Sequence, residues 1–171
     1  MNPETVLIAP MRAQPFHHGH EYYIHQLSEY GDDVVILLNR KVDNENPFSF
    51  FIRKKWIEAF VNNQKILNVV VAVRLKLPKE IEYPLQAKGS SFTVLTTSET
   101  DEMYQNLGFC TLNHHKVLLP RPKLDKLLPG SRLPISDTGR IIRARLRSRK
   151  SCTDLMQKSI EEEACNLINS I

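Results

Sequence analysis

Two short runs, Val6-Leu7-Ile8-Ala9-Pro10 and Val34-Val35-Ile36-Leu37-Leu38, contain no polar residue. A strand wetted on one side alternates apolar and polar residues, because successive side chains point to opposite faces. A strand without that alternation is buried on both faces, as in a central parallel sheet covered by helices. Val69-Val70-Val71-Ala72-Val73 repeats the pattern, and Phe92-Thr93-Val94-Leu95-Thr96 follows it more loosely. Val117-Leu118-Leu119 is a candidate fifth strand.

Helical spacing fills the intervals. Glu21 to Tyr30 carries Tyr23, Ile24 and Leu27 at that spacing, and Gly31-Asp32-Asp33 ends it. Ser49 is placed to cap a second helix, with Ile52, Trp56, Ala59 and Phe60 on its apolar face and Arg53, Lys54 and Lys55 largely off it. Glu99 to Leu107 is read as a helix closed by Gly108. Two helices end the chain, from about Gly139 to Arg147 and from about Thr153 to Ile168. In the last, Met156, Ile160, Ala164, Leu167 and Ile168 form a packing stripe. Leu75 to Ser90 reads as a long connection and Pro120 to Pro134 as loop. The alternation of strand and helix predicts an α/β fold: a doubly wound (Rossmann-like) parallel five-stranded sheet with C-terminal helices. The 171 residues suit one domain, 1–171, with helices about 139–169 packed on it. Ligands of such sheets bind at the carboxyl ends of the strands, near the switch in strand order.

The net charge of +4 fits an anionic ligand or nucleic acid without choosing between them. Cys110, Cys152 and Cys165 are odd in number and show no C-x-x-C spacing, which argues against a disulfide framework and for a reducing compartment. The start is not of signal-peptide type, and the longest apolar run falls well short of the ~20 residues that span a bilayer. A cytoplasmic protein without a membrane segment is expected.

The chemistry concentrates in Arg12-Ala13-Gln14-Pro15-Phe16-His17-His18-Gly19-His20, where the first strand hands over to the first helix. His17 and His20, three apart at a helix start, share a face. Gly19 lets backbone approach a ligand, and the helix N-terminus favours an anion. A phosphate site is the reading we prefer. Zinc is the competing one, since His17, His18, His20 and His25 are close in sequence, but no acidic or Cys ligand accompanies them at a familiar spacing. His114 and His115 are read as surface, and Trp56 as core.

The element Arg12-x-Gln14-Pro15-Phe16-His17-x-Gly19-His20 resembles the G-R-F-Q-P-F-H-x-G-H element of archaeal-type nicotinamide-mononucleotide adenylyltransferases, within the H-x-G-H nucleotidyltransferase superfamily. Met11 stands where that family has Gly. Pro47-Phe48-Ser49-x-x-x-Arg53 is similar to its P-F-[ST]-A-G-E-R, with Phe50-Phe51-Ile52 departing from A-G-E. Thr138-Gly139-Arg140-Ile141-Ile142-Arg143 is similar to its [ST]-G-T-x-[IV]-R helix start, with Arg140 in place of Thr. A rival register takes Ile135-Ser136-Asp137-Thr138 as an I-S-x-T element and puts Ile141 at the arginine position.

The resemblance implies transfer of AMP from ATP to a mononucleotide phosphate, nicotinamide mononucleotide before others, with release of pyrophosphate. It implies catalytic roles for His17, His20 and Arg143, and ATP contacts from Arg12, Gln14, Phe16, Gly19, Thr138, Gly139 and Arg140. Asn39, Arg53, Thr97 and Ser98 are expected to hold the acceptor or its phosphate. Mg²⁺ is expected to be bound through the ATP phosphates, with no metal ligand on the protein. The acceptor stays open. Leu75 to Ser90 lacks the tryptophan family members tend to offer there, and Thr96-Thr97-Ser98-Glu99 replaces Y-[ST]-G-N. Phosphopantetheine as acceptor or CTP as donor are alternatives. So is a non-catalytic nucleotide- or RNA-binding domain using the basic Arg140 to Lys150 face, although nucleic acid is not the expected partner. Arg145 to Lys150 is read mostly as solvated charge. Homo-oligomerisation is open.

Overall fold

A computed structural model describes residues 5–74, 91–96, 101–106, 109–113 and 135–170. In chain order the elements are β1 (Thr5–Met11), α1 (His18–Tyr30), β2 (Asp33–Asn39), α2 (Phe50–Asn63), β3 (Val69–Arg74), β4 (Ser91–Thr96), α3 (Asp101–Asn106), β5 (Cys110–Asn113), α4 (Ile135–Arg147) and α5 (Lys158–Ile168). The five strands pair in the order β3-β2-β1-β4-β5, and every pair is parallel. This is the expected Rossmann-like α/β fold.

The apolar runs of β1 and β2 have the expected cause, while β3, at the edge of the sheet, leaves Val70 58% exposed. Alternate residues of β1 enter two separate cores. Leu7, Ala9 and Met11 join Ile24 and Leu27 of α1, Trp56 and Phe60 of α2, Ile142 and Leu146 of α4, and Ile160 and Ala164 of α5. Val6 and Ile8 join Val35, Leu37, Val94 and Tyr104 on the opposite face. Gly31 is explained by proximity: a Cβ there would lie 2.7 Å from the buried Leu7 side chain, so a larger residue requires that side chain to move.

Strand order places the binding region. From β1 the chain moves outward through β2 and β3, then returns to the other side of β1 with β4. The switch in strand order therefore falls between β1 and β4, the place where sheets of this kind bind ligands at the carboxyl ends of the strands. The Arg12–His20 turn follows β1 at that end.

Several boundaries differ from the sequence reading. The fifth described strand is Cys110–Asn113, and Val117–Leu119 lies outside the described residues. Helix α4 begins at Ile135, so Thr138 and Gly139 lie inside it and do not open it. Helix α5 begins at Lys158, not near Thr153. The preceding residues form a turn in which the Cys152 carbonyl accepts from the amides of Leu155 and Met156, and the Leu155 carbonyl accepts from the His18 amide at 2.9 Å. Its backbone is thus committed to α1 and cannot continue a helix. In α2, Ala59 is exposed, while Arg53, placed off the apolar face by sequence, is completely buried. Ser49 caps α2 as expected, its Oγ accepting from the Ile52 amide. Trp56 is core, with its indole donating to Glu163 at 2.8 Å.

Candidate active site

The two histidines of the turn hold each other through the backbone. His17 is the N-cap of α1: its Nδ1 accepts from the Gly19 amide at 3.1 Å. In return, His20 Nδ1 accepts from the His17 amide at 3.3 Å. This is the reciprocal logic of a capping box, carried by imidazoles instead of a hydroxyl and a carboxylate. The rings lie 3.8 Å apart, and His20 stacks on Phe16 with centroids 5.7 Å apart.

Tautomer and charge follow. A ring nitrogen that accepts from an amide carries no proton, so in the neutral ring the proton sits on Nε2. Burial, and then the neighbouring His20 and His18, hold the pKa of His17 well below 6.5, and burial lowers His20 to about 3. Both imidazoles are therefore neutral at pH 7 and present an Nε2–H donor. Neither Nε2 makes a hydrogen bond to a described residue. His18 differs: its bond to Glu21 at 2.9 Å raises its pKa, and Glu21 also accepts from Gln157 ahead of α5.

Gln14 joins the turn to the loop after β2. Its buried amide donates to the Phe48 carbonyl at 2.9 Å and accepts from the Phe48 amide at 3.0 Å. The Q-P-F-H and P-F-S segments are thus one hydrogen-bonded unit. Arg53 secures the same unit from below. It donates to the carbonyls of Phe48 (3.0 Å), Ser49 (3.2 Å), Arg12 (2.8 Å) and Asn39. Burial lowers its pKa to about 10, so it stays charged at pH 7. The expectation that Arg53 grips an acceptor phosphate does not fit this setting: it has no exposed surface, and four carbonyls occupy it. It is scaffold. Asn39 contributes its carbonyl to that scaffold, and its side-chain oxygen is buried without a hydrogen-bond partner.

Helix α4 closes the other side. Arg143 donates to the Gln14 carbonyl. Arg143 reaches the turn, while Ile141 packs against the core. A Cβ on Gly139 would lie 3.3 Å from both the Gln14 carbonyl oxygen and the Arg143 guanidinium, so the small residue permits the approach. Thr138 is buried beside it. Arg12, exposed, donates to the Asn46 side chain at 2.9 and 3.3 Å. Arg147 donates to the Asn44 carbonyl. Burial, followed by Arg12 and Arg147, depresses the pKa of Arg143. These cations are close enough to repel one another.

The structure thus gathers Arg12, Gln14, Phe16, His17, Gly19, His20, Thr138, Gly139 and Arg143 around one turn. Arg140 is exposed on α4. Thr97, Ser98, His114 and His115 lie outside the described residues. His25 faces the edge of Phe60. Among the described residues, no three His, Cys, Asp or Glu side chains come together to hold a metal ion. Sequence reading missed Asn46 and Arg147. The spacing of Arg140, Arg143 and Arg147, which puts them on one helix face, was the available signal for the latter.

No protein-family profile and no curated protein matches the chain. Solved structures do. A bifunctional NMN adenylyltransferase/ADP ribose pyrophosphatase from Francisella tularensis, complexed with AMP and a Mn ion, superposes with a TM-score of 0.66 at 14% identity, over 98% of this chain and 51% of that one. The chain therefore spans about half the length of the Francisella protein. A Plasmodium falciparum nicotinic acid mononucleotide adenylyltransferase complexed with APC gives 0.61 at 10% identity, over 97% and 98% of the two chains. The same enzyme complexed with NaAD gives 0.61 at 11% identity, over 98% and 95%. The fold is that of these nucleotidyltransferases. No helix among the described residues is long and apolar enough to cross a membrane.

Proposed function

We propose that the protein is an adenylyltransferase that moves AMP from ATP to the 5′-phosphate of a mononucleotide, nicotinamide mononucleotide first among the candidates. The observation that carries this reading is the mutual capping of His17 and His20, which leaves two neutral Nε2–H donors at the start of α1. Donors fixed before the substrate arrives need no reorganisation when charge develops, which is how such sites lower a barrier. The fold of the Francisella and Plasmodium enzymes agrees with it.

In this reaction an acceptor phosphate oxygen attacks the α-phosphorus of ATP in line. The new O–P bond forms as the bond to the β-phosphate bridging oxygen breaks, and pyrophosphate leaves with the electron pair. No side-chain nucleophile takes part. The Nε2–H groups of His17 and His20 donate to phosphate oxygens, and Arg12 and Arg143 hold the β/γ end. Gln14, Phe16, Gly19, Thr138 and Gly139 keep the turn and α4 in place, and Arg140 extends the basic face. The donors around the turn are imidazole, guanidinium and amide groups, with no carboxylate cage among the described residues. A site of this kind suits Mg²⁺ carried on phosphate oxygens and water. When bound there it neutralises phosphate charge.

The test is pyrophosphate release from ATP with a panel of acceptors: nicotinamide mononucleotide, nicotinic acid mononucleotide, phosphopantetheine and glycerol phosphate. Turnover with one of the mononucleotides supports the reading. Turnover with another acceptor alone moves the protein elsewhere in the superfamily. No turnover with any acceptor, together with salt-sensitive RNA binding, overturns it.

A further inference from the structure

The charge run at the end of α4 contains a residue that surface solvation does not explain. Arg143 and Arg147 are four apart and share a helix face. Arg143 reaches into the turn after β1, at the Gln14 carbonyl, and Arg147 reaches the loop after β2, at the Asn44 carbonyl. Arg12 meets that same loop at Asn46. The Asp43–Asn46 turn therefore receives two guanidinium groups.

Every acceptor used by these three arginines is a neutral oxygen: the Gln14 carbonyl, the Asn44 carbonyl and the Asn46 amide. The nearest carboxylate of the loop is already committed. Asp43 pairs with Lys41 at 2.8 Å and accepts from the amides of Glu45 and Asn46 and from the Asn46 side chain. Glu45 is the one acidic side chain felt at Arg143, against the charges of Arg12, Arg147 and Arg140. Like charges gathered at short range are relieved by an anion, and an arginine exchanges a carbonyl for a phosphate oxygen with a gain in strength. Arg145, on the same helix, is already paired: it bonds Asp154 at 2.8 and 3.0 Å.

We propose that Arg147 is a substrate-binding residue that takes the terminal phosphate of the polyphosphate chain, releasing the Asn44 carbonyl as it does so. Arg143 and Arg147 then form a ladder along α4, with Arg12 bonded to the same Asp43–Asn46 turn. The inference rests on the proposed adenylyl transfer and extends it from the transferring phosphate to the far end of the leaving group.

The experiment uses the full chain and measures binding of inorganic tripolyphosphate and of pyrophosphate by calorimetry at two salt concentrations, alongside the KM for ATP. Arg147→Gln is expected to weaken tripolyphosphate about tenfold, the loss of one charge-assisted contact. It should weaken pyrophosphate less, raise KM for ATP with kcat little changed, and flatten the salt dependence. Arg147→Lys should recover part of the affinity. Lys150→Gln, on an exposed neighbour outside the site, should change none of these. Wild-type tripolyphosphate affinity in Arg147→Gln, with loss in Arg143→Gln, overturns the role of Arg147 and leaves the adenylyl-transfer reading standing. Absence of both polyphosphate binding and turnover in the wild type overturns both.

Discussion

Arg53 and Arg143 enter the same turn from opposite sides, and both donate to its backbone: Arg53 to the Arg12 carbonyl, Arg143 to the Gln14 carbonyl. Their settings differ. Arg53 is fully buried, touches four carbonyls, and has its pKa lowered by burial. Arg143 is half-buried, makes one backbone contact, and stands among other arginines. A guanidinium under the core with its donors engaged is part of the scaffold. One at the rim, with neutral acceptors and like-charged neighbours, is available to an anion. Residue type and motif position do not separate the two; burial and donor use do.

That distinction can be broken by mutation. The largest effect is expected at the chemistry: Arg143→Ala and His20→Ala should each reduce turnover by about 10²–10³. For Arg143→Ala the thermal midpoint should stay close to wild type. Wild-type turnover in a folded His20→Ala protein removes the site assignment. Arg53→Ala should act through the fold, because it takes the guanidinium donor from the Arg12 and Asn39 carbonyls at about 1–3 kcal/mol each, while the Phe48 and Ser49 carbonyls keep the Gln14 amide and the backbone amide of residue 53. Denaturant melts should show a loss of about 3 kcal/mol or more. A stable Arg53→Ala protein with a selective rise in acceptor KM would instead return Arg53 to the acceptor site.

Gln14→Ala sharpens the comparison on a neutral residue. It removes both bonds to Phe48 and should cost about 1–3 kcal/mol by the same melts, with turnover reduced in step as the two loops separate. Ser49→Ala tests the cap alone, at about 1 kcal/mol, with kcat unchanged.

The pH dependence concerns the histidines. His17 and His20 have folded pKa values below their unfolded value near 6.5, so between pH 6.5 and the folded value the unfolded chain binds more protons. Their contribution to stability is complete above pH 6.5 and declines as the pH falls towards about 3 for His20. His20→Gln should therefore lose stability less steeply than wild type between pH 6.5 and 4, which thermal melts across that range will show. Equal slopes would mean that His20 is protonated in the folded protein.

Much of the fold was legible because it depends on short-range order. The unbroken apolar runs at Val6–Pro10 and Val34–Leu38 required burial on both faces, and β1 does feed two cores through alternate residues. Ser49 could be read as a cap because a cap acts on residues three positions away. The H-x-G-H spacing could be read as a shared helix face for the same reason. The start of α5 was not legible, since a docked amide, His18 to the Leu155 carbonyl, decides where the helix begins.

The sequence by itself determined the doubly wound sheet, the turn at the end of β1 and the residues there that are proposed to meet phosphate. Only the tertiary structure decided what each of them does. Gln14 meets Phe48 across 34 positions, Arg53 meets the Arg12 carbonyl across 41, and Arg147 meets Asn44 across 103. Local periodicity carries no information at those separations, because it is the packing of α2 and α4 on the sheet that brings the partners together. Burial then sorts the arginines: where donors are engaged and water is excluded, a cation holds the loops, and where they face one another at the rim, they call for an anion.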